Sequence, residues 1–151
     1  MKSEDIQDLV KKIALNCYSV RLRLLNRVVG ALFDEALRPH EIRASQLNIL
    51  VAVAAYGPVT SQQLCRVLHM DASTFSRAIS RLKAKLWIEI EPSGEGKVLL
   101  IGVGSPGLEK IKCVYSDWQK AQEKVASVLG ESTVEKISAA GDRYLLKGMT
   151  G

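Results

Sequence analysis

Between Asp71 and Lys85 the chain reads DASTFSRAISRLKAK, and the polar residues of this stretch carry its most distinctive chemistry. Ser73, Thr74 and Ser76 have hydroxyls short enough to approach the edge of a flat heterocycle, where each can donate or accept a hydrogen bond. Arg77 adds a planar fork of donors suited to bidentate contacts, and Arg81 and Lys83 add cations suited to phosphate oxygens. Such side chains are useful only if something holds them on one face. Phe75, Ile79, Leu82 and Leu86 recur at steps of four, three and four, an apolar stripe that predicts a helix buried along one side and polar along the other. Asp71, just before it, is an expected N-cap.

The elements before this helix also read from spacing. Thr60-Ser61-Gln62-Gln63 has the form of a capping box, followed by the stripe Leu64, Val67 and Leu68, so a short helix is expected to end near His69. Only Leu68 to Asp71 separate the two helices, a connection of helix-turn-helix length. Upstream, Ser45 is the expected N-cap of a helix through Leu47, Leu50, Val51 and Ala54, stopped by Gly57-Pro58. Downstream, Ile88 and Ile90 alternate with Glu89 and Glu91, a Pro-Ser-Gly-Glu-Gly cluster follows, and Val98 to Val103 is a second apolar run, which together predict a hairpin. Gly102, Gly104, Pro106 and Gly107 are expected to close it. The free backbone N–H groups and small side chains of Thr60, Ser61 and Gln62 at a helix start suit a phosphate anchor.

Long helices flank this core. Ile6, Leu9, Val10, Ile13, Leu24, Val28 and Leu32 predict one long or once-broken helix over residues 4–38. Leu108, Ile111, Tyr115, Trp118, Gln122, Val125 and Leu129 predict another, and a last helix runs from about Ser132 to Leu146. The expected fold is mainly α with a small β-hairpin, a winged helix-turn-helix over 45–103 with long helices at 4–38 and 106–147, in one domain spanning 1–151. Such a lobe needs little of the flanking apolar surface, and surplus apolar helix surface points to a subunit interface.

The segment ASQLNILVAVAAYGPVTSQQLCRVLHMDASTFSRAISRLKAK resembles the MarR (multiple antibiotic resistance regulator) family, most specifically in LCRVLHMDASTFSRAISRL. The resemblance implies a homodimer whose flanking helices dimerise, binding double-stranded, pseudo-palindromic operator DNA as a repressor and released by a small aromatic or anionic effector. It places Ser73, Thr74, Ser76 and Arg77 at the contact positions of the recognition helix. The wing departs from the family pattern. Where the family carries Asp-x-Arg near the tip, this chain has Ser93-Gly94-Glu95-Gly96-Lys97, so Lys97 stands in for the arginine, and Leu86 and Trp87 replace the usual glycine before the first wing strand. An effector site is expected where the long helices meet the lobe, with Tyr18, Arg21, His40, Tyr115 and Trp118 as candidates. Cys17 falls where peroxide-sensing members carry a reactive thiol, so a redox-sensing regulator is one alternative. A winged helix turned to protein contacts, its DNA binding weakened by Glu89, Glu91 and the missing arginine, is another.

Composition narrows the remaining classes. The chain has 151 residues, 47% of them hydrophobic, and 21 Lys and Arg against 16 Asp and Glu for a net charge of +5, which favours anionic partners. No run approaches the length of a membrane span, and a cytoplasmic protein is expected. Cys17, Cys65 and Cys113 lack paired spacing and read as free thiols. With two histidines and no metal-ligand spacing, nucleotide-binding glycine motif or nucleophile motif, neither an enzyme nor a metal or cofactor is expected.

Overall fold

The computed structural model describes residues 5–94 and 98–149. In chain order these form α1 (Ile6–Asn16), α2 (Tyr18–Leu37), a 3-10 turn (Arg38–His40), α3 (Ala44–Tyr56), α4 (Ser61–Leu68), α5 (Ala72–Ala84), β1 (Ile88–Pro92), β2 (Leu99–Val103), α6 (Ser105–Leu129) and α7 (Glu131–Met149). The predicted N-terminal helix is broken once, at Cys17, whose extended backbone serves as C-cap of α1 and N-cap of α2. The Arg21 guanidinium, one turn further, donates to the Leu15 carbonyl and so satisfies an orphan acceptor at the end of α1.

One apolar core joins the lobe to the flanking helices. Leu37, Leu50, Val53, Leu82, Ile101 and Val114, drawn from five different elements, are each buried to 2% exposure or less. α2 and α6 pack against each other, and α3 bridges them to the lobe. β1 and β2 pair antiparallel, with Ile88 opposite Val103 and Ile90 opposite Ile101. A third extended piece escapes the alternation rule: Val59 N–H donates to the Ile101 carbonyl at 3.1 Å and Ile101 N–H to the Val59 carbonyl at 2.7 Å. A single residue between Pro58 and Thr60 has no periodicity to read.

Three local expectations are corrected. Ser45 is not the cap of α3. The helix begins at Ala44, its N–H taken by Asp34 Oδ1 of α2 at 2.8 Å, and Gln46 Oε1 accepts from Arg43 N–H. Leu86 does not continue the stripe of α5, because the helix ends at Ala84 and Leu86 sits 69% exposed in the left-handed region at φ 59°. That turn swings Trp87 inward to 7% exposure, with its N–H bonded to the Leu82 carbonyl at 3.1 Å. Finally, Pro106 and Gly107 belong to the first turn of α6 rather than to the hairpin's end. A Cβ at Gly107 would run into the Trp87 carbonyl, so only glycine lets α6 start against the wing.

The stripe expected for α6 is also shifted. Its buried side is Gly107, Val114, Ala121 and Val125, while Tyr115 is 55% exposed. Helix α1 contains no buried residue at all, and Ile6, Val10 and Ile13 are each more than half exposed.

Candidate nucleic-acid interface

The helix-turn-helix is built by caps. At the start of α4, Gln63 N–H donates to Thr60 Oγ1 at 3.2 Å and Thr60 N–H to Gln63 Oε1 at 2.9 Å, the reciprocal pair that the sequence predicts. The N–H groups of Ser61 and Gln62, in the first turn, have no carbonyl one turn back to take them. Both residues are exposed. α4 ends at His69, in the left-handed region at φ 50°. There Met70 N–H bonds the Cys65 carbonyl at 3.0 Å and His69 N–H the Arg66 carbonyl at 3.3 Å, a closure that turns the chain sharply into α5. The His69 ring lies edge-on to Tyr144 of α7, 6.1 Å between centroids, so the last helix braces this turn.

Asp71 then caps α5. Its Oδ1 accepts from Thr74 N–H at 2.8 Å and from the Ser73 hydroxyl at 2.7 Å. These hydrogen bonds, the Ser73 hydroxyl first, hold the Asp71 carboxyl well below the usual carboxylate range. Phe75, Ile79 and Leu82 are buried to 2%, 6% and 0%. On the opposite side Ser73, Thr74, Ser76, Arg77, Ser80 and Arg81 are exposed together, and the Ser80 hydroxyl donates back to the Ser76 carbonyl. Among the described residues Arg77 and Arg81 have no ion-pair partner. The result is a rigid helix face of hydroxyls and uncommitted guanidinium groups beside the exposed start of α4.

The wing is present as β1 and β2, with Glu89 and Glu91 exposed on the first strand. Lys97 and Glu95, at its tip, lie outside the described residues. Its base is fixed by Trp87, over whose ring stand Lys85 at 4.4 Å and Lys110 of α6 at 5.2 Å. The same ammonium groups donate to the Glu41 and His40 carbonyls, at 2.8 and 3.0 Å, and so clamp the turn after α2 onto the wing base.

Of the five effector candidates the structure brings two together. Tyr115 and Trp118 stack with centroids 5.8 Å apart and line a groove of about 580 Å3 between α3, α4 and α6. Tyr18, Arg21 and His40 do not line it. Tyr18 is 80% exposed at the start of α2, and Arg21 caps α1. His40 Nε2 pairs with Asp117 Oδ2 at 2.8 Å. The Lys120 ammonium and His40 together lower the Asp117 carboxyl from its ordinary value. Sequence reasoning missed Asn48 and Tyr56, which supply further polar lining; they sit in α3 at i and i+8, on a face that the expected stripe left out. Cys17 is half-buried at the helix break and Cys113 is exposed. Cys65 packs beside the core, and burial followed by the nearby Asp71 charge pushes its thiol up, away from the reactive thiolate.

Three helices ending in a hydroxyl- and arginine-faced α5, followed by a two-stranded wing, make this a winged helix-turn-helix. The sequence model of the MarR family matches residues 40–97. The chain is 31% identical over 74 residues to the multiple antibiotic resistance protein MarR of Salmonella typhimurium, covering 49% of this chain and about half (51%) of that protein. It is 21% identical over 112 residues to YwoH, an uncharacterised HTH-type transcriptional regulator of Bacillus subtilis, covering 74% of this chain and 82% of that one. Among solved structures, a mutant MarR from E. coli complexed with operator DNA aligns at TM-score 0.75 and 22% identity, over 93% of this chain and 98% of that one. An S. aureus MepR–DNA complex aligns at TM-score 0.71 and 20% identity, over 86% and 97%. Over its helix-turn-helix and wing the chain is similar to transcription regulators of the MarR family, and its fold is that of their solved structures. No helix among the described residues is long and apolar enough to cross a membrane.

Proposed function

We propose that the protein is a homodimeric repressor that binds a pseudo-palindromic operator through α5 and lets go when a small aromatic effector occupies the lobe. The observation that carries this reading is the exposed face of α5, where Ser73, Thr74, Ser76, Arg77 and Arg81 stand together over a fully buried stripe. In this reading α5 enters the major groove with Arg77 as the principal base contact and Arg81 on phosphate. Thr60, Ser61 and Gln62 anchor a second phosphate through backbone N–H groups, since the Thr60 hydroxyl is already engaged with Gln63. Lys97 adds a wing cation.

Dimerisation is supported by apolar surface that one copy leaves uncovered. Ile6, Val10 and Ile13 of α1, Leu22 and Leu24 of α2 and Tyr144 of α7 are each more than half exposed. A second copy of the same helices buries such surface and sets the spacing of two recognition helices.

The test is a gel shift on DNA upstream of the protein's own coding sequence, across a salt series. Affinity is expected to fall steeply with salt as phosphate counterions are released, and Arg77→Ala to weaken binding by about 1–3 kcal/mol. Unchanged affinity in Arg77→Ala would remove α5 from the reading.

A further inference from the structure

The groove walled by Tyr115 and Trp118 has a lining without a charged side chain. We propose that it is a binding site for a small uncharged aromatic molecule and that it discriminates against aromatic carboxylates, the anions that the family resemblance leads one to expect. Its volume of about 580 Å3 is that of a ligand site, and every side chain that lines it is uncharged. Leu47, Val51, Leu68 and Ile111 supply aliphatic walls, and the stacked Tyr115 and Trp118 rings form an aromatic one. The polar lining is amide, phenol and indole: Asn48, Tyr56 and Tyr115 can donate to and accept from a neutral polar group, and the Trp118 indole N–H can donate.

Three cations of α2 and α6 are engaged elsewhere. Arg21 is held on the Leu15 carbonyl, Lys110 on the His40 carbonyl and Lys120 on Asp117. His40, the remaining candidate, is paired with that same Asp117 and does not line the groove. A carboxylate seated here gives up its water without gaining a counter-charge, a loss that an isosteric amide avoids by hydrogen bonding to Asn48 or a phenol. Binding itself needs nothing from the proposed operator contacts, whereas its effect on DNA rests on the repressor reading.

The experiment titrates the full chain, without DNA, with 2-naphthamide and with 2-naphthoate at pH 7.5, following tryptophan emission and melting temperature. The chain has two tryptophans, and only Trp118 lines the groove. The amide is expected to saturate the emission change and raise the melting temperature, with the naphthoate at least tenfold weaker. Trp118→Phe should abolish the emission change while keeping the thermal shift. Val51→Lys, at a position 44% exposed and therefore able to accept a longer side chain, should bring naphthoate up to the amide. Naphthoate binding as tightly as the amide to the unaltered chain would overturn the proposal, since a cation would then reach the groove from a second copy. Absence of any response to either probe would also overturn it, with the groove covered by a helix of that copy. If the amide binds and operator affinity does not change, the site stands and effector release falls.

Discussion

Gly107→Ala is the sharpest probe of how the wing is held. The added Cβ would stand 3.0 Å from the Trp87 carbonyl carbon and 3.0 Å from Val103 Cγ2, and nearer still to the Trp87 carbonyl oxygen. Backbone cannot swing aside as a side-chain tip can. That oxygen already accepts from Gly104 N–H at 3.0 Å, and Trp87 is buried with two lysines over its ring. Relief therefore requires α6 to lift from the wing base. Forcing a methyl into packed backbone costs about 3 kcal/mol, at the upper end for an inserted carbon. Alanine returns up to about 1 kcal/mol of helix propensity, less in a first turn, which leaves a net loss of about 2 kcal/mol. Urea unfolding at fixed protomer concentration should show the midpoint falling by about 1 M. Gly141→Ala, in the interior of α7 with no atom of another element among the described residues within 4 Å of the new Cβ, should instead gain about 0.5–1 kcal/mol. Equal stability of the two variants would refute the close approach of α6 to Trp87.

Three further outcomes follow from the same geometry. The Asp71 carboxyl is lowered in the folded chain, so the stability it lends the cap of α5 is present above its unfolded value and is lost as pH falls through the folded one. Its carboxyl carbon resonance should still report the ionised form at pH 3, and a midpoint at the ordinary aspartate value would show the cap to be open in solution. Leu86→Gly should stabilise by about 0.5–1 kcal/mol in thermal or urea unfolding, because relief of a left-handed leucine outweighs the entropy of glycine and the side chain is already 69% exposed. Deletion of residues 1–38 should leave a monomer or an insoluble chain by sedimentation, and a folded dimer from the shortened chain would move the interface off α1 and α2.

How much of this was legible depended on whether the determining contact was local. Thr60 with Gln63, Asp71 with Thr74, and the stripe Phe75, Ile79 and Leu82 are satisfied within one or two helical turns, and each was readable from spacing. The start of α3 was misread because the group that fixes it, Asp34, comes from another helix. The effector candidates were gathered by residue type, whereas the groove is defined by which faces of α3 and α6 meet. Asn48 and Tyr56 became visible only once those helices were placed, and Arg21 was excluded by a carbonyl six residues before it.

The wing base shows why such contacts decide function as well as fold. The helical stripe extrapolated through Leu86, yet a continued helix would leave Trp87 pointing away from the core. Ending α5 at Ala84 places one residue in the left-handed region, and glycine is the residue that usually tolerates it. Here a leucine takes that strain. What holds it there is non-local: Trp87 seated beneath Lys85 and Lys110, its carbonyl bonded to Gly104, and Gly107 allowing α6 to close over it. The end of α5, the wing and the start of the long helix α6 thus meet at one tryptophan. A shift of α6, which also walls the groove through Tyr115 and Trp118, would reach α5 through that contact, a physical route by which an occupied groove would alter the grip on DNA.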